Sequence, residues 1–97
     1  MTSRARIAYR SPMALFVIER NFAEQLEPAA LDYAGIKSVN DEMGAKWIYS
    51  FLSADKKKTY CLYEAPNAEA IREAAARLGM PADAIISVDQ FGPLPTS

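Results

Sequence analysis

Residues 46–65, KWIYSFLSADKKKTYCLYEA, read as two aromatic-rich strands joined by a charged turn, with apolar side chains on both faces. Side chains along a strand point alternately to opposite faces, so a hairpin with one wet face alternates apolar with polar. This one does not. Each face therefore needs cover, and that requirement restricts the folds open to the chain. The same stretch holds the only Trp and the only Cys.

The flanking sequence supplies the remaining elements. Residues 14–20, ALFVIER, form a strand with Phe16 and Ile18 on one face and Leu15 and Val17 on the other. Residues 24–44 read as a helix. Pro28 suits its first turn, where a missing N–H costs nothing, and Gly44 is its C-terminal stop. Ala29, Tyr33, Ile36, Val39 and Met43 recur at helical spacing as the expected buried stripe, with Gly35 as a weak point.

Strands follow at 45–53 and 58–64. Trp47, Tyr49 and Phe51 are expected on one face of the first, with Ile48, Ser50 and Leu52 on the other. Two registers are open. A turn of Asp55-Lys56-Lys57 pairs Tyr49 with Tyr63 and Phe51 with Cys61, whereas a turn one residue longer sets Tyr60 and Leu62 opposite that face. Asn67 then caps a second helix with Ala68, Ile71, Ala75 and Leu78 as its stripe, ending at Gly79 before Pro81. A last strand spans 84–91.

The order strand, helix, strand, strand, helix, strand is that of a ferredoxin-like α+β domain, βαββαβ, a four-stranded antiparallel sheet with two helices on one face. Two helices cover one face only. The aromatic set left on the other is too large for a comfortable monomer, so the expected partner is a second copy, docked through the sheet face or as a dimeric α/β barrel. Residues 1–12 are expected to be a flexible extension, 13–92 the domain, and 93–97 a tail.

At 97 residues the chain is one domain with a large share of its surface exposed. A net charge of −1 argues against nucleic acid, which needs a surplus of Lys and Arg on one face. No apolar run is long enough to span a bilayer, the first residues lack the apolar core of a secretory signal, and one Cys fits a reducing compartment. The expected location is cytoplasmic, with no membrane partner.

The chain has no His. That removes Ser-His-Asp and Cys-His catalysis and the common zinc sites. Cys61 reads first as a buried small hydrophobe and alternatively as a thiol facing a cleft. Trp47, Tyr49 and Tyr63 line a pocket if the register brings them to one face, where phenol hydroxyls would supply polar points in an apolar setting. Glu64, with Glu19 and Arg20, marks the strand ends.

MALFVIERNF, followed by GAKWIYSFLSADKKKTYCLYEAPNAEAIREAAARLGMPADAI, resembles a small bacterial domain-of-unknown-function family that includes a nickel-binding protein. The likeness covers residues 13–91 and is most specific over residues 59–66, TYCLYEAP. It implies a ferredoxin-like fold and a dimer. Members of that family often carry His two residues after the Trp, where this chain has Tyr49. His is a favoured nickel ligand, so no metal and no cofactor is assigned.

The reading that results is a small dimeric protein binding a small-molecule ligand beside the hairpin, with Trp47, Tyr49, Cys61, Tyr63 and Glu64 as its candidate site and no catalytic residue assigned. The alternatives are a cofactor-independent isomerase or monooxygenase, using Tyr49, Tyr63 or Glu64 to handle protons, and a nickel-binding protein with a degenerate site.

Overall fold

A computed structural model describes residues 13–93, so the extension at 1–12 and most of the tail at 93–97 lie outside the described residues. The elements are β1 (Ala14–Asn21), α1 (Tyr33–Met43), β2 (Lys46–Leu52), β3 (Lys58–Ala65), α2 (Ala68–Leu78) and β4 (Ala84–Val88). The four strands form one antiparallel sheet in the order β2-β3-β1-β4. This is the ferredoxin-like arrangement, with β1 and β3 at its centre.

Alternation along the central strands sorts the core. Phe16, Ile18 and Arg20 of β1 are buried beside Thr59, Cys61, Tyr63 and Ala65 of β3, while the residues between them are less covered. Ile71 of α2 and Ala45 close the core from the helix side. Ile18 and Ile71 are fully buried, each contributing about 1.5–3 kcal/mol relative to exposure. Small residues at Ala74 and Ala75 line the buried side of α2.

The second helix follows its sequence signals. The Asn67 side chain accepts from the N–H of Ala70, Glu69 and Arg77 suit the two ends of the helix dipole, and Gly79 closes it in a left-handed conformation. Gly44 ends α1 in the same way.

The start of α1 differs from expectation. Residues 24–32 are not α-helical: Pro28–Ala30 make one short 3-10 turn, and the helix begins after Asp32, whose carboxylate accepts from the N–H of Gly35. A Cβ at Gly35 would collide with that carboxylate, so this glycine makes room for the cap. The segment ahead of it runs beside the hairpin turn instead of coiling. Phe22 N–H donates to Lys57 O at 2.8 Å and Leu26 N–H to Lys56 O at 2.7 Å. Those backbone bonds replace the helical ones. Tyr33, expected in the buried stripe, is half exposed, and β4 stops at Val88, leaving Phe91 outside it at 96% exposure.

The hairpin takes the longer-turn register: Phe51 pairs with Tyr60, Tyr49 with Leu62 and Ser50 with Cys61. Between Trp47 and Tyr49 the register shifts by a bulge, so that Trp47 pairs with Tyr63. One extra residue in a strand reverses the facing of everything beyond it. Trp47 therefore shares the covered face with Ser50 and Leu52, and Tyr49 and Phe51 turn to the open face. The expected grouping of Trp47, Tyr49 and Phe51 is corrected on this point.

Candidate functional site

A cavity of about 190 Å³ lies on the covered face, toward the end of the sheet where the hairpin turns. Its floor is Arg20 of β1, Trp47, Ser50 and Leu52 of β2, and Thr59, Cys61 and Tyr63 of β3; its wall is Phe22, Leu26, Pro28 and Leu31 from the segment before α1, with Tyr33, Ile36 and Met80 closing it. The backbone bonds from Phe22 and Leu26 to the hairpin turn hold that wall in place. The cavity thus depends on residues 24–32 being an extended strap rather than the helix the sequence suggested.

Three of the four aromatics in the lining, Tyr33, Trp47 and Tyr63, are fixed by specific partners. The Trp47 indole stacks on Tyr33, with centroids 5.6 Å apart and planes 6° from parallel, and its Nε1–H donates to Ser50 Oγ at 2.7 Å. That bond spans the bulge. The Tyr63 hydroxyl accepts from Asn40 Nδ2 at 3.4 Å. Burial pushes the Tyr63 phenol above its ordinary value, partly offset by Asn40 and Arg20, so it stays neutral well into alkaline solution. The Cys61 thiol is buried and donates to Thr59 Oγ1 at 3.6 Å.

Arg20 is the member that sequence reading placed only at a strand end. It is 3% exposed, yet it projects from β1 to the covered face with Phe16 and Ile18. Its Nη1 donates to Pro81 O at 2.6 Å, and its guanidinium carbon sits 5.9 Å from the Tyr63 ring centroid. The signal was there: two residues past Ile18, Arg20 shares that residue's face by strand alternation.

Of the expected site residues, the structure brings Trp47, Cys61 and Tyr63 together around this cavity and separates Tyr49 and Glu64 from them. Tyr49 is half exposed on the open face. Glu64 lies opposite Lys46 on β2 and Leu15 on β1, out of reach of the covered side.

The open face carries a second, more open hollow bounded by Leu15, Val17, Tyr49, Phe51, Tyr60, Leu62 and Val88, with Asp89 and Gln90 at its rim. Phe51 is 63% exposed and Ile86 51%. Tyr49 meets Phe51 edge-on at 5.5 Å. Charge stands at one margin, where Lys58 and Glu19 pair at 3.0 Å.

A family model described as "Nickel responsive protein SCO4226-like" matches residues 16–88. Among solved structures, the chain is similar to that of SCO4226 from Streptomyces coelicolor A3(2), with 25% sequence identity and a TM-score of 0.67, over 86% of this chain and 100% of that one. No curated protein matches.

Proposed function

The chain belongs to the SCO4226-like family of nickel responsive proteins, and on that footing we propose that this member binds a small organic ligand in the covered-face cavity and pairs with a second copy through its open face. The observation that carries the reading is the cavity itself. Protein interiors are close-packed, and a space of about 190 Å³ lined by four aromatics and a buried guanidinium is a feature that binding pockets share: apolar walls with a few placed polar groups.

Binding fits the lining better than catalysis. Among the described residues, no carboxylate lines the cavity, and Tyr63, held protonated by burial, makes a poor base near neutral pH. Glu64, a candidate proton carrier from the sequence, faces the other way.

Nickel does not fit the donors present. The chain has no His, Cys61 is buried against Thr59 on one face, and Glu64 lies on the other. No group of three His, Cys, Asp or Glu side chains comes together among the described residues. Calorimetric titration with nickel is expected to give no micromolar binding, and such binding would reverse this assignment.

For the open face, the support is the apolar character of the hollow and the exposure of Phe51 and Ile86. Patches of this kind mark interfaces on soluble proteins. No helix among the described residues is long and apolar enough to cross a membrane. Native mass spectrometry of protein purified from its own host tests both parts at once. The expected spectrum is a dimer carrying a small co-purifying molecule; a bare monomer at micromolar concentration would defeat the reading.

A further inference from the structure

We propose that the cavity takes a small organic anion, a monocarboxylate with an apolar body of about one aromatic ring, and that Arg20 receives the carboxylate. This rests on the cavity being a ligand site, and it names the class of ligand.

Arg20 is 3% exposed, its Nη1 donates to the carbonyl of Pro81, and its Nε has no partner although it is buried. Among the described residues no carboxylate pairs with it, whereas six ion pairs form elsewhere on the surface. A buried guanidinium with donors to spare is costly, because the lost hydration is repaid only in part. The Tyr63 ring face, 5.9 Å away, offsets some of that cost. An anion would offset far more. Guanidinium is planar and presents its N–H groups as a fork that matches the two oxygens of a carboxylate.

The rest of the lining sets the body of the ligand. Arg20 is the one charged residue among the described residues around the cavity, and Phe22, Leu26, Leu31 and Trp47 make its walls apolar. A bare inorganic anion would leave those walls unfilled. A cavity of roughly 150 Å³ holds benzene, so about 190 Å³ accommodates a ring-sized body with a carboxylate attached. The stacked Trp47–Tyr33 pair adds a flat aromatic edge to that volume.

Trp47 is the chain's one Trp and stands in the lining, so its fluorescence reports occupancy directly. The experiment titrates the intact protein with benzoate and hexanoate, with their uncharged counterparts benzyl alcohol and hexanol, and with inorganic phosphate. At least one carboxylate should change Trp47 emission saturably and bind about tenfold or more tighter than its alcohol, the range expected for a hydrogen bond to a charged group. Phosphate should bind more weakly. In Arg20→Lys the preference for carboxylate over alcohol should shrink, and in Arg20→Gln it should vanish, while the alcohols still register.

Equal affinity for acid and alcohol in the unaltered protein overturns the assignment of Arg20 and leaves the ligand site standing. Binding of phosphate alone overturns the organic part of the proposal. Silence from every probe removes the ligand site and this inference together. Should the Arg20 variants fail to fold, the acid-to-alcohol ratio of the unaltered protein decides the matter.

Discussion

On the covered face of the sheet, β1 and β3 set small or polar-tipped side chains, Thr59, Cys61, Tyr63 and Ala65, beside Phe16 and Ile18. On the open face, the same strands and their neighbours set Leu15, Val17, Tyr60 and Leu62 beside Tyr49, Phe51 and Ile86. The face turned away from the helices thus carries the bulkier exposed apolar side chains, with charged Glu19, Lys58 and Glu64 among them. Small residues let helices approach a sheet closely and leave room for a cavity where the layer is not filled. Large flat ones suit a broad partner surface. On the reading proposed above, the covered side of the sheet holds a core with a pocket and the open side is the docking surface.

The largest contrast between the faces is expected from trimming one isoleucine on each. Ile18→Ala should lower stability by about 2–5 kcal/mol, as for other buried large-to-small changes, measured by urea denaturation. Ile86→Ala, half exposed to begin with, should cost no more than about 0.5 kcal/mol in the monomer. Equal losses would mean that the faces do not differ as described. Next in size, Phe51→Asp should weaken self-association by about 2–4 kcal/mol, in the range of an interface hot spot. Sedimentation should then show monomer at concentrations where the unaltered chain is expected to pair, with the monomer's fold kept; unchanged association would place the interface elsewhere.

Smaller effects sharpen the covered side. Tyr63→Phe removes the hydroxyl that accepts from Asn40 and should cost about 1 kcal/mol. Its pH signature is distinctive. Because burial raises the folded-state value of Tyr63 above the ordinary 10.0, the unfolded chain loses this proton first as pH rises. Stability is therefore fully present below about pH 10 and falls above it. The Phe variant should lack that part of the alkaline decline in a series of melts across pH. Smallest of all is Asp55→Asn in the hairpin turn. Ser53 Oγ–H and the Lys57 N–H both donate to the Asp55 carboxylate and hold it below the usual carboxylate range. Its contribution is present above that range and is lost as pH falls through the lowered folded value. The Asn variant should flatten only the acid limb of the stability profile.

Much of the fold was legible because its signals are local. Asn67, Gly44 and Gly79 mark helix ends whatever the tertiary context, and alternation assigned Phe16 and Ile18 correctly to one face and Leu15 and Val17 to the other. The strap at residues 24–32 was misread because helical spacing and Pro28 fit a helix on local grounds, while the backbone partners that decide against it, Lys56 and Lys57, lie some thirty residues away in the chain. The bulge beside Trp47 carries no residue-type mark at all. The longer turn set Tyr49 opposite Leu62 on the open face, and the bulge returned Trp47 to the covered side beside Tyr63.

The sequence by itself determined the element order, the ferredoxin-like sheet and the fact that neither face of the hairpin was suited to water, since each of these follows from spacing and side-chain type. Only the tertiary structure decided which residues share a pocket. A period of two makes every facing depend on register, and register is set by one bulge and one turn length. The same holds for Arg20, whose charge was visible in the sequence but whose burial without a carboxylate partner among the described residues was not. That burial follows from where β1 lies in the sheet, between β3 and β4 and beneath the helices.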